Sequence, residues 1–399
     1  MKRTVMILGL ILSLLLTGCG AVREDEDTAD STFTLTFITI GKGDAFLMES
    51  PEGGYYLMDT GKAQDYQQIV RVLRLKGIDR LDGIFLTHGH KDHAGCLEPL
   101  LEDLPVDRVY ISRMDTVSYT EIDPREIVPR FVNTELVELE GGEVLDLGGA
   151  EAQIWIPPSV DFDNANNNSL IMRVTHGTQT FLLMGDAELE EEAELMKSDF
   201  PLESTVLKLG HHGETDASSS AFLDQVRPQI ALIAGNADEN PDSENPVISE
   251  RLEQRGIETY YSKGASLDFC SDGSQLTIQK VEERELPCDI NLEFAEVNRK
   301  EQAVTIRNIS DGIADLTGCT LISERGDEIY HFPKGTFLEP DMELTVVCRD
   351  SNIKGDLVWN MDSVWKKHRD TALLYDMNMN LLDSDPAEQS IGGTYGTNE

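Results

Sequence analysis

The stretch Thr87-His88-Gly89-His90-Lys91-Asp92-His93-Ala94-Gly95 places three imidazoles and a carboxylate within six residues. It directly follows the apolar run Ile84-Phe85-Leu86, which predicts a buried strand, and it precedes leucines at helical spacing. We therefore expect the polar cluster on a loop between a strand and a helix. Imidazole and carboxylate groups are ligands that Zn²⁺ and its first-row neighbours prefer. The stretch predicts a metal site.

This cluster resembles the H-x-H-x-D-H signature of the metallo-β-lactamase superfamily. The resemblance implies an αββα sandwich that holds two divalent metal ions, Zn²⁺ or Mn²⁺. It further implies that His88 and His90 bind one ion and that Asp92 and His93 bind the other, with Asp92 also taking part in catalysis.

Four further stretches resemble one branch of that superfamily, the hydrolase domain of ComEC competence proteins. They follow in the order of that branch: Ile40-Gly41-Lys42-Gly43-Asp44-Ala45, Asn166-Asn167-Asn168-Ser169-Leu170, Leu183-Met184-Gly185-Asp186-Ala187-Glu188 and Leu207-Lys208-Leu209-Gly210-His211-His212-Gly213. The resemblance implies that Asp186 bridges the two metal ions and that the reaction is a metal-assisted hydrolysis.

The predicted strands place these motifs at one edge of a sheet. Two strands joined by a turn at His176-Gly177 form a hairpin whose open end brings Asn168 and Ser169 beside Asp186, where we expect them to act in catalysis. His176 lies at the opposite end of the hairpin, so we exclude it as a ligand.

The strand beginning at Val206 ends at two adjacent histidines, one of which can bind metal while the other faces substrate. By position we favour His211 as a metal ligand and His212 as a contact to phosphate or an oxyanion. Asp59 and Asp44 are candidates to orient the ligand imidazoles, with turn capping as the alternative for each.

Some residues depart from the ComEC pattern. Many superfamily members carry another histidine before the bridging aspartate, where this chain offers only His176. Asn245 stands where a Gly-His-Pro motif commonly places histidine, and an amide cannot replace an imidazole as acid or base. Glu214 follows the histidine pair in place of serine, which disfavours a polyanionic substrate.

The acidic run from Glu188 to Glu194 is expected to be the solvated start of a helix.

The chain also predicts a secreted, two-domain organisation. Met1-Lys2-Arg3 and the apolar run after it are typical of an export signal, and Leu16-Thr17-Gly18-Cys19 resembles a bacterial lipobox, which implies lipid modification of Cys19 and attachment to the membrane on its extracytoplasmic face. The expected segments are a signal peptide (1–18), an acidic linker (19–31), the hydrolase domain (32–281), a second linker (282–290), a C-terminal domain (291–385) and a disordered tail (386–399).

From about Asn291 the pattern changes to short strands with closely spaced turns, which predicts a β-sandwich. The overall class is therefore α+β. Stretches such as Val304-Thr305-Ile306-Arg307-Asn308 and Asp370-Thr371-Ala372-Leu373-Leu374-Tyr375-Asp376 resemble a lamin-tail domain, an immunoglobulin-like fold, although Cys319 occupies a position where that family usually has tryptophan. Such a domain implies docking to a surface or polymer, with a purely stabilising role as the alternative.

Net charge limits the choice of partner. The chain carries a formal charge of −40, and residues 32–281 hold 19 basic against 44 acidic side chains. No basic run resembles a nucleic-acid footprint, so DNA is a substrate by resemblance but is disfavoured by charge. Among five cysteines besides Cys19, Cys319 and Cys348 could pair, or both could be buried as small apolar residues.

Two classes of function remain open. The leading one is a lipid-anchored metallohydrolase, a phosphodiesterase or nuclease, with cell-wall phosphodiesters, small esters or lactams as other substrates within the enzyme class. The other is a non-catalytic surface binding protein that keeps the hydrolase fold as a scaffold, which Asn245 and the missing histidine favour.

Overall fold

The computed structural model describes residues 31–116, 121–238, 240–326, 328–366 and 370–386. The predicted signal peptide, the lipidation site Cys19, nearly all of the acidic linker and all but the first residue of the predicted tail lie outside these residues. Within them, no helix combines the length and apolar character needed to cross a bilayer.

The first sheet has eight strands in the order β15-β14-β1-β2-β3-β4-β5-β6. Its strands are β1 (Phe33–Phe37), β2 (Phe46–Glu49), β3 (Tyr55–Met58), β4 (Gly83–Leu86), β5 (Arg108–Ser112), β6 (Glu135–Leu139), β14 (Leu267–Ser271) and β15 (Leu276–Lys280). Strands β3 to β6 run parallel to one another, and the others pair antiparallel.

The second sheet has seven strands in the order β13-β12-β11-β10-β9-β8-β7. They are β7 (Val144–Asp146), β8 (Glu151–Trp155), β9 (Ile171–His176), β10 (Gln179–Leu183), β11 (Val206–Lys208), β12 (Ile230–Ile233) and β13 (Glu258–Tyr261). Strands β9 and β10 form the predicted hairpin, with Gln179 opposite His176. Strands β10 to β13 are parallel, so their carboxyl ends share one edge of the sheet.

Helices cover the outer face of each sheet. They are α1 (Tyr66–Leu75), α2 (Lys91–Ala94), α3 (Leu97–Asp103), α4 (Pro124–Ile127), α5 (Leu189–Leu195), α6 (Ser220–Val226) and α7 (Pro246–Glu253). One buried apolar cluster joins α1 and α3 to the first sheet, and another joins α5, α6 and α7 to the second. A third fills the space between the sheets, with Phe37 stacked on Phe46 and Phe85 on Tyr110. This is the predicted αββα sandwich.

The C-terminal part is built from strands, with no helix among its described residues. Its strands are β16 (Leu292–Asn298), β17 (Ala303–Asn308), β18 (Ala314–Asp315), β19 (Thr320–Ser323), β20 (Glu328–His331), β21 (Phe337–Leu338), β22 (Glu343–Cys348), β23 (Leu357–Trp359), β24 (Thr371–Tyr375) and β25 (Leu381–Pro386). Two four-stranded sheets, β16-β17-β22-β23 and β20-β19-β24-β25, enclose one apolar core, and β18 pairs with β21. The arrangement agrees with the predicted β-sandwich.

Cys319 and Cys348 both lie in the core of this sandwich. All five cysteines among the described residues are free thiols, so the alternative of burial as small apolar residues holds in the structure.

The C-terminal sandwich packs against helix α1 of the αββα sandwich. Arg71 donates hydrogen bonds to the Asn378 carbonyl at 3.1 Å and to Asn380 Oδ1 at 3.0 Å. Met379 joins the apolar cluster beneath α1, and Tyr66 packs edge-on against His331. His331, which lies in β20, therefore belongs to the contact between the two parts.

Candidate metal centre

Three histidines gather on the loop that follows β4. His90 stands at the start of the short helix α2, and the turn brings His88 Nε2 within 2.9 Å of His90 Nδ1. The ring of His93, which lies in α2, has its centroid 4.3 Å from that of His88. The sequence cluster is therefore also a spatial cluster, on the predicted loop between strand and helix.

The second sheet contributes the other half of the site. Asp186 follows β10 and His212 follows β11, and because these strands are parallel and adjacent their ends meet at one edge. Asp186 Oδ2 lies 3.0 Å from His93 Nε2 and 3.2 Å from His212 Nε2. His212 Nε2 also lies 3.3 Å from Asp92 Oδ2. One ligand atom from each of these four residues fits within a 4.8 Å span.

The chemistry of these atoms fits a divalent metal ion. His93 Nε2, His212 Nε2 and Asp186 Oδ1 are buried and have no hydrogen-bond partner, a state that is costly unless a cation satisfies them. Two ligands that are each about 2.1 Å from one ion lie roughly 3 to 3.4 Å apart, which matches the separations between these groups. The residues therefore suit the divalent ions that this fold binds.

A set of buried hydrogen bonds aims the imidazoles at the centre. Asp59 accepts at Oδ2 from His93 Nδ1 at 2.7 Å, and Thr87 holds that carboxylate through its backbone N–H at 2.7 Å and its hydroxyl at 2.8 Å. His212 Nδ1 lies 2.9 Å from the Ala234 carbonyl. In both rings the bond at Nδ1 leaves Nε2 for a ligand. The expected orienting role of Asp59 fits this geometry.

Lys208 is not among the predicted site residues, yet its side chain is fully buried at the centre. It forms an ion pair with Asp44, lies 3.6 Å from Asp186 Oδ1 and donates to the Gly185 carbonyl at 2.6 Å. The signal in the sequence was a charged residue inside the apolar strand β11, since lysine is rarely buried without a partner. Asp44 is thus held by Lys208, and its own carboxylate approaches His212 Nδ1 at 3.6 Å.

Electrostatics divide the histidines into two groups. Burial lowers the pKa of His88 well below its ordinary value and also lowers the pKa of His90, so both rings are neutral donors of a lone pair. Burial opposes the charged form of His93 too, but the carboxylates of Asp186 and Asp59 raise its pKa well above the ordinary value. Burial also opposes the charged form of His212, but the carboxylate of Asp186 raises the pKa of this ring above its ordinary value. The acidic half of the site attracts positive charge.

Neighbouring imidazoles also change the pKa values of the carboxylates at the centre. Burial would raise the pKa of Asp186, but His212 and His93 hold it well below the usual range. The nearby rings of His212 and His93 lower the pKa of Asp92 despite its burial. Both groups are therefore anions that can bind a cation.

Three residues of this site have a left-handed backbone conformation. Asp59, His211 and His212 adopt positive φ angles of 59°, 42° and 53°, a left-handed region that costs non-glycine residues on the order of 1 to 3 kcal/mol each. Gly43 has φ of 142°, and a Cβ there would stand 2.9 Å from the Asp92 carbonyl oxygen, so glycine is required beside the metal loop. The fold holds these residues against their local preference.

The structure reverses the expected positions of the two adjacent histidines. His212 is fully buried and points to Asp186, whereas His211 points to the rim, with Nδ1 3.0 Å from Asp216 Oδ1. His211 therefore lies outside the central group of four residues, because two consecutive left-handed residues follow the strand end. These rotate the chain so that the second ring, and not the first, faces inward.

Asn168 and Ser169 are close to Asp186 in the chain fold but are not available to substrate. The Asn168 amide accepts from the Asp161 backbone N–H at 2.8 Å and donates to the Asp161 carbonyl at 2.9 Å. The Ser169 hydroxyl donates to the Asn166 carbonyl at 2.7 Å and accepts from the Asp186 N–H at 3.2 Å. Both are fully buried, so the expected catalytic contacts are replaced by a role in shaping the loop around Asp186.

The acidic run at the start of α5 is also not the solvated segment that was expected. Glu191 and Glu192 are buried. Glu192 accepts from the backbone N–H groups of Ser218 and Ser219, which stand before α6, while burial raises the pKa of Glu191 well above its usual range. Packing of α5 against the second sheet turns one acidic face inward, which helical periodicity alone does not reveal for a run of like residues.

The structure also shows the contacts of Asn245 and Glu214, the two residues that depart from the ComEC pattern. Asn245 caps α7 by accepting from the Val247 N–H at 3.0 Å, and its own N–H donates to the Gly213 carbonyl. Lys42 lies at the mouth of the centre, with Nζ 3.9 Å from Asp92 Oδ2 and 3.6 Å from Glu214 Oε1. The site therefore carries a cation at its opening, paired to the unusual glutamate.

Comparison with known proteins agrees with this geometry. Residues 38–236 match the metallo-beta-lactamase superfamily. The chain is 28% identical to ComE operon protein 3 of Bacillus subtilis over 237 residues, which cover 55% of this chain and 30% of that protein. It is 27% identical to competence protein ComA of Neisseria gonorrhoeae, over 61% of this chain and 33% of that protein. The aligned region thus spans about a third of the length of these relatives.

Among solved structures, the chain is similar to the metallo-beta-lactamase fold protein YhfI from Bacillus subtilis. The TM-score is 0.40 at 14% identity, covering 58% of this chain and 95% of that one. The histidine cluster, the paired αβ layers and the sequence matches lead to one conclusion: residues 38–236 form a domain of the metallo-beta-lactamase superfamily that is similar in sequence to the competence proteins.

Proposed function

We propose that this chain is a metal-dependent phosphodiesterase of the ComEC-like branch, anchored by lipid on the extracytoplasmic side of the membrane. The observation that carries the proposal is the convergence of His93, Asp186, His212 and Asp92, whose buried ligand atoms include several without a partner. A site of this kind suits hydrolysis and not merely a structural ion, because the Asp92 side chain is 21% exposed and the site therefore reaches solvent on one side.

The residues that would hold two ions are those of the loop and the two strand ends: His88, His90, Asp92, His93, Asp186 and His212. Divalent ions in such a site stabilise negative charge on a phosphoryl group and activate water for attack. Asp59 keeps Nδ1 of His93 protonated, and the Ala234 carbonyl does the same for His212. The chain thereby fixes the tautomers that present Nε2 to the metal.

His211 is suited to deliver a proton to the leaving group. Its Nδ1 lies 3.0 Å from Asp216 Oδ1, and its Nε2 lies 4.0 Å from Oε1 of Glu214 at the mouth of the centre. Its ring centroid stands 6.0 Å from that of His212, so a substrate that reaches the metal centre would lie near His211. Of the two roles expected for the histidine pair, we assign the substrate contact to His211 and the metal to His212.

Lys42 is suited to pair with a phosphate oxygen. Its side chain is 19% exposed and stands between Asp92 and Glu214. A phosphodiester bears a single negative charge at each phosphate, which one ammonium group can balance, while Glu214 repels substrates with dense negative charge. Small diesters or cell-wall phosphodiesters therefore suit the mouth better than long DNA, and DNA stays a substrate to be tested.

The test is hydrolysis of bis(p-nitrophenyl) phosphate by the full chain supplied with Zn²⁺ or Mn²⁺, with single- and double-stranded DNA assayed beside it. Asp186→Ala should abolish turnover and lower the metal content. Asp146→Ala, which changes an exposed aspartate on β7, is the matched control and should behave as wild type. Metal-loaded protein with no turnover of any phosphodiester would overturn the proposal.

A surface binding protein is the second candidate. It is favoured by Asn245, which serves as a helix cap where a histidine is common. Metal content separates the two candidates, since a scaffold has no need of two ions. Hydrolysis of small esters or β-lactams in the same assay would instead keep the enzyme class and change the substrate.

The anchor and the C-terminal sandwich complete the proposal. Cys19 would carry the lipid, and the sandwich, as a lamin-tail-like module, would bind a surface or polymer. Metabolic labelling with a fatty acid analogue, lost in Cys19→Ser, tests the anchor. Binding of the full chain to isolated cell wall, compared with a chain ending before residue 291, tests the module, provided the shorter chain keeps its metal.

A further inference from the structure

A second group of potential metal ligands lies beside the centre, on its outer side. It consists of Glu188, His211 and Asp216, whose ligand atoms all fall within 4.8 Å of one another. His211 Nδ1 lies 3.0 Å from Asp216 Oδ1 and 3.5 Å from Glu188 Oε1. These separations are those of ligands that share one ion, as at the central site.

Asn166 gives an independent indication that this group is incomplete. Its side chain is 92% buried, and its Oδ1 has no hydrogen-bond partner. Its Nδ2 points into the group, 2.8 Å from Glu188 Oε1 and 3.4 Å from His211 Nε2. A half-turn of the amide would direct Oδ1 at the same place, where only a cation could hold two oxygens together.

Charge also favours a cation there. Two carboxylates face one imidazole nitrogen, which carries at most one proton and can satisfy only one of them. Glu188 receives further hydrogen bonds from Asn164 and Asn166, so the loop before β9 fixes its position without neutralising its charge. An imidazole nitrogen, two carboxylates and an amide oxygen form a ligand set suited to Zn²⁺ or Mn²⁺.

We propose that Glu188, His211, Asp216 and Asn166 form an additional, weaker site for a divalent metal ion, separate from the buried centre. The site is weaker because Asp216 is half exposed and its ligands can reach water in the absence of metal. An ion bound at this site would connect three segments through its ligands: the 161–168 loop, the start of α5 and the segment after β11.

The test measures metal binding by the full chain in equilibrium dialysis with Zn²⁺, after chelation and removal of the native metal. Wild type should show tight binding followed by one weaker ion. Glu188→Gln should weaken only that last ion, by about tenfold or more. Glu190→Gln, which changes an exposed neighbour on the same helix, is the matched control.

Co²⁺ in place of Zn²⁺ gives a second readout through its visible absorption. The bands that appear with the last equivalent should be absent from Glu188→Gln and from His211→Gln, while the bands of the first equivalents remain. Equal binding curves for wild type and Glu188→Gln would overturn the additional site. If the tightly bound ions and the weaker ion all bind but no substrate is hydrolysed, the proposed function is overturned and the additional site stands.

Discussion

The buried ammonium group of Lys208 lies 3.6 Å from Oδ1 of Asp186, the carboxylate that also faces His93 and His212. Burial would lower the pKa of this lysine, but Asp44 and Asp186 raise it, so Lys208 stays charged. A fixed cation thus stands behind the central carboxylate, on the side away from the imidazoles.

Lys208→Met should destabilise the metal-free protein by about 3 to 5 kcal/mol, because it leaves Asp44 and Asp186 without their buried counter-charge. With Zn²⁺ bound the loss should be smaller, since the metal supplies positive charge to Asp186. Urea unfolding with Zn²⁺ and with a chelator measures both values. Lys76→Met, at a half-buried lysine paired with Glu49 and Asp268, should show the same loss in both conditions.

Substitutions of the two adjacent histidines should have different effects on metal content and on turnover. His212→Ala should lower the number of tightly bound ions, whereas His211→Ala should keep them and reduce kcat by about 10² to 10⁴ fold, the usual contribution of a general acid. Metal analysis after dialysis and steady-state kinetics distinguish them. Loss of tight metal in His211→Ala with retention in His212→Ala would restore the assignment expected from the strand end.

Asp59→Asn should weaken central metal binding by about 10 to 100 fold, because an amide no longer accepts reliably from His93 Nδ1. Competition with a metal-sensitive dye measures the affinity. Thr87→Val, which removes the hydroxyl that holds the same carboxylate, should have a smaller effect in the same direction. Unchanged affinity in Asp59→Asn would mean that His93 is not oriented by this bond.

Glu191→Gln should stabilise the fold at neutral pH. Burial raises the pKa of Glu191 in the folded protein, so above its ordinary value of about 4.3 the unfolded chain loses a proton that the folded chain keeps, and folding becomes less favourable as pH rises. The amide removes this cost, on the order of 1 to 3 kcal/mol. Urea unfolding should show the gain at pH 7.5 and none at pH 4, and a gain that is equal at both would contradict the titration.

Arg71→Ala should loosen the contact between the two domains, because its guanidinium bonds to Asn378 and Asn380 across that contact. Limited proteolysis should cut residues 282–290 faster than in wild type. Arg80→Ala, a half-exposed arginine paired with Asp107 within the hydrolase part, should not change the cleavage rate. An unaltered rate in Arg71→Ala would show that apolar packing around Met379 suffices.

The resemblance of the sequence motifs to the metallo-β-lactamase superfamily implied the two-layer αββα fold. The amino-acid sequence by itself determined the strand-rich C-terminal part and the loop that carries His88, His90, Asp92 and His93, because strand periodicity and the spacing of ligands act within a few residues of each other. The position of Asp186 followed from the hairpin of β9 and β10 for the same reason.

Only the tertiary structure decided which of His211 and His212 faces the metal, because two left-handed residues reverse the order and their strain is imposed by surrounding packing. The tertiary structure also decided the surroundings of Lys208, whose partner Asp44 lies far away in the chain, and of Glu191, which is buried by the packing of α5. Charges and hydroxyls in the sequence mark possible ligands, but their partners come from distant segments. The direction of each side chain is therefore fixed by the assembled fold.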